Sequence, residues 1–340
     1  MKNKNTSILK GLISDKKKVV IVPHTSPDGD AIGSSLALMH LLKNMGHTVN
    51  VLSPNQPPYF LKWSPGFEEI IYYEFDEEKC SKIINNSDLI FTLDFNDLNR
   101  IGELGNLVKS SYSKIIMIDH HQNPNDYADL IFSKPDIGST CELLYEIITQ
   151  LGYKELINSK IASCLYLGIM TDTGSFQYSN VTSRTHEIVA DLIKNGVDQS
   201  EIYNKVYNDA SQSKLKVLGC ALSNLKQIKE LNTAYMYLKR KDLKEFDFKK
   251  GDSEGIVNYG LSLKNIKFSV IFIEDFEVEN KIKISFRSQG DFSCNKFANN
   301  HFNGGGHINA AGGIDKGPIE ETINKFKEVI NQYKEELTNN

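Results

Sequence analysis

The sequence has few cysteines and no long apolar run. Its five cysteines are scattered along 340 residues and never form a Cys-x-x-Cys pair. This spacing argues against a disulfide framework and against a thiolate zinc site. No stretch reaches the ~20 apolar residues of a membrane span, and the polar, basic N-terminus lacks the apolar core of a secretory signal. We therefore expect a cytoplasmic protein without a membrane partner.

Positive charge is not in excess either. Lysine and arginine number 39 against 43 aspartates and glutamates, so the formal net charge is -4. A protein that coats long DNA or RNA must neutralise many phosphates, and this composition argues against such a partner. It is compatible with a small pocket that bound metal ions make locally positive.

Strand and helix patterns alternate in the first half of the chain. Short apolar runs predict buried strands at 18–22, 48–52, 88–93 and 114–118. Helical patterns are found at 31–45, 139–151 and 159–170. The alternation predicts an α/β fold with a parallel sheet.

The remainder of the chain predicts a second part. Residues 182–227 have a polar, helical pattern without a strand candidate. An alternating strand follows at 281–286 and an amphipathic helix at 319–337. We therefore expect an N-terminal parallel-sheet domain, a helical connector and a smaller α/β C-terminal domain, with bounds at 1–185, 186–227 and 228–340.

Acidic residues and histidines gather where predicted elements end. The groups are His24 to Asp30, Asp94 to Arg100, Asp119-His120-His121, and Thr171 to Gly174. The first three follow strands, and the carboxyl ends of parallel strands meet at one edge of a sheet. Several carboxylates with one or two histidines form a divalent-metal site, and an oxygen-rich ligand set favours manganese or magnesium over zinc.

Each of these residues also has an ordinary structural interpretation. A carboxylate after a strand commonly forms a turn or caps a helix, as Asp30 could. Adjacent histidines are often surface residues. These interpretations would all have to hold together at strand ends in one half of the chain, which favours the metal site. The histidines outside the groups are interpreted as structural: His40, His47, His186 and His301.

Six sequence strings stand out. Four begin in the first half: HTSPDGDAIGSSLAL from residue 24, LDFNDLNRIG from 93, DHH at 119–121, and GIMTDTGSFQYSNVTSRT from 168. The other two are FRSQG at 286–290 and FNGGGHINAAGG at 302–313. The first four resemble the motifs of the DHH phosphoesterases, and the last two resemble the DHH-associated C-terminal domain. The resemblance covers nearly the whole chain. It implies a catalytic domain, a substrate-binding domain and an active site in the cleft between them.

The domain content resembles that of the compact stand-alone members of the family. RecJ-type exonucleases carry extra DNA-binding domains, membrane cyclic-dinucleotide phosphodiesterases carry membrane spans, and family II pyrophosphatases lack the GGGH segment. The resemblance therefore implies a nanoRNase, a hydrolase that degrades short oligoribonucleotides and removes the 3′-phosphate of pAp. A cyclic di-AMP or pApA phosphodiesterase is the alternative. A catalytically silent nucleotide-binding module is a further alternative, but every expected metal ligand is retained, which argues against it. The oligomeric state stays open, a homodimer included.

The resemblance also assigns roles to individual residues. Two divalent ions are implied, with manganese favoured over magnesium or cobalt. Their ligands would be His24, Asp28 and Asp94 for the first ion, and Asp30, Asp94, His120 and Asp172 for the second. Asp94 would then bridge the ions, Asp119 would orient a histidine ligand, and His121 would face the substrate phosphate, so that these three carry catalytic roles.

A second group of residues is assigned to substrate. The resemblance implies that the phosphates of a short RNA or small nucleotide are bound by Arg100, Arg287, Ser288 and His307. The three consecutive glycines, Gly304, Gly305 and Gly306, would let the backbone approach the ligand closely.

Overall fold

The computed structural model describes residues 2–249 and 251–338. They form two compact units, one ending at Asp209 and the other beginning at Ala210. The segment predicted as a connector, 186–227, is divided between these units, and the finer domain bounds stay predictions. Within the described residues, no helix has both the length and the apolar character needed to cross a membrane.

The first unit is a parallel sheet with helices on both faces. Its strands are β1 (Lys18–Pro23), β2 (Thr48–Ser53), β3 (Ile71–Tyr72), β4 (Leu89–Leu93), β5 (Lys114–Asp119) and β6 (Leu130–Ser133). Its helices are α1 (Lys2–Leu12), α2 (Gly29–Asn44), α3 (Glu77–Asn85), α4 (Leu104–Ser110), α5 (Thr140–Leu151), α6 (Ser159–Asp172), α7 (Ser183–Lys194) and α8 (Gln199–Tyr207). The predicted α/β class and the four predicted strands are confirmed.

The strands carry unbroken apolar runs because both faces of the sheet are buried. Along β1, Val19 and Ile21 join the core that contains α2, α5 and α6. Val20 and Val22 point to the other face and join the core that contains α3 and α4. Successive side chains of a strand alternate between faces, and parallel sheets are normally covered on both. Strands β3 and β6 lie outside the predicted runs because two and four residues are too few to show a pattern.

The strand order places a crevice between β1 and β4. The order is β3-β2-β1-β4-β5-β6, so the sheet grows in one direction from β1 and in the other from β4. In such sheets the connections from the two central strands leave toward opposite faces, and ligands bind outside their carboxyl ends. Strand β1 ends at Pro23 and β4 at Leu93, so His24 and Asp94 stand at this point.

The second unit is built on a mixed sheet. Its strands are β7 (Lys226–Ile228), β8 (Thr233–Leu238), β9 (Phe268–Glu274), β10 (Lys281–Ser288), β11 (Gly305–Gly306) and β12 (Ala310–Lys316). Its helices are α9 (Gln212–Ser223), α10 (Arg240–Glu245), α11 (Asn258–Leu261), α12 (Cys294–His301), α13 (Ile319–Val329) and α14 (Lys334–Thr338). The order is β11-β12-β10-β9-β8-β7, and within the described residues of this unit β8 and β9 are the one pair that runs in parallel.

Strand β10 shows why this unit folds as it does. Its buried side chains Ile282, Ile284 and Phe286 join an aromatic core with α12 and α13, which confirms the predicted alternation. Lys281 and Lys283 lie on the other face. The predicted C-terminal helix differs: a 3₁₀ turn at Ile330–Tyr333 separates α13 from α14. Such turns are common at helix ends.

Candidate metal centre

The first part of the centre lies where β1 and β4 end side by side. His24 and Asp94 are both buried, and Nε2 of His24 lies 3.5 Å from Oδ2 of Asp94. Nδ1 of His24 lies 2.9 Å from the backbone carbonyl of Thr25. A carbonyl can only accept, so Nδ1 donates its hydrogen there. Nε2 is therefore the nitrogen that faces the carboxylates.

The backbone of Asp94 is strained. Its φ of 66° lies in the left-handed region, which aspartate and asparagine tolerate better than most residues. Such conformations occur at functional sites where the surroundings hold them. The N–H of Asp94 donates to the carbonyl of Ile118 at 3.1 Å. The neighbouring strand β5 thus helps to hold this residue in place.

The start of α2 supplies two more carboxylates. Asp28 caps the helix and accepts hydrogen bonds from two backbone N–H groups of the first turn. Asp28 is about half exposed, whereas Asp30 is buried. A Cβ at Gly29, between them, would lie 2.4 Å from Oγ1 of Thr171. Glycine therefore lets the start of α2 pack directly on the end of α6, where Asp172 lies.

His120 connects three of the carboxylates. Its Nε2 lies 3.1 Å from Oδ2 of Asp172, 3.5 Å from Oδ1 of Asp94 and 3.9 Å from Oδ2 of Asp30. Its Nδ1 lies 3.2 Å from the carbonyl oxygen of Ile137, to which it donates. As in His24, a backbone carbonyl leaves Nε2 to face the carboxylates.

Asp119 and His121 form a separate buried pair. Nδ1 of His121 donates to Oδ1 of Asp119 at 2.7 Å, and the N–H of His121 donates to Oδ2 at 3.1 Å. The histidine that Asp119 orients is thus His121, whereas the expected metal ligand His120 is held by Ile137. The reason is geometric, because residues two apart in an extended segment project to the same side.

Two of the groups of side chains that could hold a metal ion match the predicted ligand sets. The ligand atoms of each set lie within 4.8 Å of one another: His24, Asp28 and Asp94 in the first, and Asp30, His120 and Asp172 in the second. Asp94 faces both sets, because its Oδ2 contacts His24 and its Oδ1 contacts His120. One oxygen toward each set is the arrangement of a bridging carboxylate. Carboxylate oxygens with imidazole suit manganese or magnesium.

The charges of the cluster also fit cations. Burial, followed by nearby Asp94 and Asp172, raises the pKa of Asp30 well above its usual range. Burial likewise raises the pKa of Asp172 to about 7. Burial would lower the pKa of His120, but Asp172, Asp94 and Asp30 raise it to about 10. Across residues 2–249 and 251–338, no lysine or arginine forms an ion pair with these carboxylates. Divalent ions would relieve the repulsion.

The start of α5 holds two of the predicted ligands, Asp30 and Asp94, in place, and the sequence alone does not indicate this. The backbone N–H groups of Thr140 and Cys141 donate to the two oxygens of Asp30 at 2.6 and 2.9 Å. The hydroxyl of Thr140 donates to Oδ1 of Asp94 at 2.9 Å. The partial positive charge of a helix N-terminus also favours a carboxylate there. Thr140 therefore contacts a ligand of each set.

The sequence does carry a local signal for the start of α5. Ser139 and Glu142 have the spacing of a helix-start pattern, and the hydroxyl of Ser139 accepts the N–H of Glu142 at 3.0 Å. The pattern indicates where α5 begins but not what its first turn contacts.

In the second unit, the structure brings Arg287 and His307 to the same end of β12. Arg287 of β10 pairs with Ala310, and the N–H of His307 donates to the carbonyl of Ala310 at 2.7 Å. The guanidinium of Arg287 donates to the carbonyl of Phe286 at 2.9 Å. These two residues of the expected phosphate site therefore both lie beside Ala310, with β12 between them.

Ser288 is more restricted than expected. Its hydroxyl donates to the carbonyl of Phe292 at 2.6 Å, and its N–H donates to the carbonyl of Asn309 at 3.0 Å. Both of its donors are thus used inside the fold. A phosphate contact by Ser288 stays a prediction and requires one of these bonds to open.

The glycine run is part of the sheet. Gly305 and Gly306 form β11, which pairs antiparallel with β12. A Cβ at Gly304 would lie 2.0 Å from the carbonyl oxygen of Gly312, and one at Gly306 would lie 2.4 Å from that of Ala310. Gly306 also has a φ of 146°. Glycine is therefore required at 304 and 306 by the close approach of the backbone.

The other predicted residues lie as follows. Arg100 is in the turn Leu98–Ile101 after β4, and its carbonyl accepts the N–H of Thr25 at 2.8 Å, so the loops after β1 and β4 are joined. Its contact with substrate stays a prediction. Three of the histidines interpreted as structural make hydrogen bonds within the fold: His40 to the Pro65 carbonyl, His47 to the Lys17 N–H and His301 to the Tyr333 hydroxyl.

Two family models match the chain, and together they span most of it. The DHH family, N-terminal domain, matches residues 18–169, which include all six strands of the first sheet. The DHHA1 domain matches residues 214–336, which include all six strands of the second sheet. The chain therefore belongs to the DHH family and carries a DHHA1 domain.

Similar proteins cover nearly the same length. The bifunctional oligoribonuclease and PAP phosphatase NrnA of Bacillus subtilis is 27% identical over 297 residues, 86% of this chain and 88% of that protein. The protein of the same name from Thermus thermophilus is 29% identical over 323 residues, 94% and 90% of the two chains. An exopolyphosphatase-related protein from Bacteroides fragilis, known from its crystal structure, is 44% identical in sequence. The match covers 98% of this chain and 97% of that chain, with a TM-score of 0.94.

Proposed function

We propose that this chain is a metal-dependent phosphoesterase that hydrolyses short oligoribonucleotides and removes the 3′-phosphate of pAp. The observation that carries the proposal is Asp94, which presents one oxygen to His24 and the other to His120. This carboxylate lies at the switch point of the sheet, where such folds bind ligands. The two NrnA relatives are named for this pair of activities and match the chain over most of its length.

The chemistry explains why such ligands are needed. A phosphate ester resists attack because the nucleophile and the phosphate are both negative. Two divalent ions would reduce this repulsion and lower the pKa of an attacking water. The rings of His24 and His120 are held in fixed directions, because the Nδ1–H group of each donates to a backbone carbonyl. Asp119 fixes the ring of His121, which we propose contacts the substrate phosphate.

We further propose that Arg287 and His307 bind a second phosphate of the substrate. A guanidinium binds phosphate with two parallel hydrogen bonds, which makes Arg287 the stronger of the two anchors. Binding energy at this remote phosphate would position the reacting one, so substrates that cannot reach it lose turnover as well as affinity. The acidic net charge leaves little surface to follow a long backbone. Short chains, of about two to five nucleotides, should therefore be cut fastest.

The test is a single-turnover series with manganese. Purified protein is mixed with end-labelled RNAs of increasing length, with pAp and with cyclic di-AMP, and Asp94→Asn serves as the inactive control. Fast hydrolysis of short RNA and pAp, with slow cutting of long RNA, supports the proposal. Equal rates on a dinucleotide and a long RNA would contradict it. Rapid hydrolysis of the cyclic dinucleotide alone would favour the cyclic di-AMP alternative, and binding without any turnover would favour a silent nucleotide-binding module.

A further inference from the structure

Thr140 contacts the two ligand sets at once. Its backbone N–H donates to Oδ2 of Asp30 at 2.6 Å, and its hydroxyl donates to Oδ1 of Asp94 at 2.9 Å. The residue is fully buried, so water does not compete for either bond. Thr140 lies outside the sequence strings that resemble the family motifs.

We propose that Thr140 is a positioning residue whose hydroxyl sets the direction of the Asp94 carboxylate and thereby the affinity of the second metal position. The inference rests on the two-ion function proposed above. It assigns to Thr140 no contact with substrate and no proton transfer.

The argument begins with the freedom of a carboxylate. Each oxygen of Asp94 has two lone pairs. The Thr140 hydroxyl uses one lone pair of Oδ1, which leaves the second directed toward His120 while Oδ2 faces His24. Without the hydroxyl, the carboxylate could turn toward His24 alone, and the second set would lose its shared ligand. Supporting contacts of this kind typically change metal affinity by about 10- to 100-fold.

A purely helical role for the hydroxyl does not fit the structure. The side chain that caps α5 is Ser139, which accepts the N–H of Glu142. Threonine hydroxyls inside helices usually bond the carbonyl four residues earlier, as Thr149 of the same helix does with Tyr145 at 2.9 Å. The Thr140 hydroxyl instead bonds a residue 46 positions away in the chain. Its partner is the ligand that faces both sets.

The experiment compares three variants. Thr140→Val removes the hydroxyl at nearly constant volume, Thr140→Ser keeps it, and Thr149→Val removes a hydroxyl from the same helix away from the ligands. Calorimetry with manganese measures ion number and affinity, and electron paramagnetic resonance measures coupling between bound ions. We expect T140V to bind one ion about 10- to 100-fold more weakly, with loss of coupling. T140S and T149V should resemble the wild type. In T140V, kcat should fall while KM for a dinucleotide stays nearly constant.

The outcomes separate this inference from the proposed function. Two coupled ions of normal affinity in both wild type and T140V would overturn the role of Thr140 alone. A wild-type protein that binds a single ion would overturn the two-ion function, and the bridging role with it. Thermal unfolding of the metal-free proteins monitors the fold. If T140V does not fold, the T140S variant decides. Binding of two ions by T140S supports the role of the hydroxyl. Loss of one ion in T140S would show that the methyl group matters, and this would overturn the inference.

Discussion

Gly168 allows the packing around Asp30 to be tested directly. It lies within α6, where this helix packs on α2 and α5. A Cβ at this position would lie 2.2 Å from Sγ of Cys141 and 2.6 Å from Oδ1 of Asp30. Both neighbours are buried, with 0% and 1% exposure, so neither can move into solvent. Gly168→Ala should therefore reduce both the stability of the first unit and its affinity for metal.

The size of the effect follows from two opposing terms. Alanine is better than glycine inside a helix by about 1 kcal/mol. A methyl group forced into a close-packed core costs about 1–3 kcal/mol. Because both contacts at position 168 are very short, the cost of Gly168→Ala lies at the upper end of this range. The net loss is then about 2 kcal/mol, which lowers the melting temperature of a domain of this size by roughly 4–8 °C. Displacement of Asp30 should also lower the affinity for one metal ion about tenfold or more.

Gly11→Ala is the matched control in the same unit. Gly11 lies in α1, and a Cβ there would meet no atom within 4 Å. This variant should be unchanged or more stable by about 0.5 kcal/mol, because only the helix preference acts. Circular dichroism during heating measures stability, and calorimetry with manganese measures binding. A G168A protein that melts no lower than the wild type and binds both ions normally would refute the described packing of α6 on α2 and α5.

Three further perturbations test other parts of the structure. Asp94→Asn should abolish turnover yet keep the circular dichroism spectrum, since asparagine also tolerates the left-handed backbone; near-normal kcat would contradict the two-ion site. Arg287→Ala should weaken nucleotide binding and leave manganese binding intact in calorimetry, whereas lost metal would place Arg287 in the metal site itself. Burial lowers the pKa of His47, whose Nδ1 accepts the N–H of Lys17 at 3.1 Å. The free energy of unfolding should therefore fall as the pH drops below about 6.5, the value in the unfolded chain. His47→Gln should flatten this slope between about pH 7 and 5, and denaturant titrations that show an equal slope would disprove the assignment.

The elements that carry the candidate site residues could be predicted because their signals are local. Apolar runs mark β1, β4 and β5, and His24, Asp94 and Asp119 stand at their ends. A parallel sheet then brings its strand ends together without further information. Strand β10 could also be predicted locally, from its alternation of apolar and polar residues.

The contacts that support the candidate ligands could not be predicted in this way. Thr140 is 110 residues from Asp30 in the sequence, and no local pattern indicates that the start of α5 reaches α2. Gly168 resembles any glycine in a helix until α2 and α5 are placed beside it. The partner of Asp119 was also open, because two adjacent histidines are equivalent in sequence and differ only in the side to which they project.

The glycine run of β11 has a consequence for protein engineering. Positions 304 and 306 cannot carry a side chain, whereas a Cβ at Gly305 would have as its nearest neighbours Oδ1 of Asn299 at 3.6 Å and Oδ1 of Asn295 at 3.8 Å. These are ordinary van der Waals distances, and Gly305 does not have a left-handed backbone. A mutant library confined to codon 305 would therefore vary the chemistry beside His307 without disturbing the sheet. If the proposed phosphate site at Arg287 and His307 is correct, such a library would test which nucleotides the protein accepts by changes at a single position.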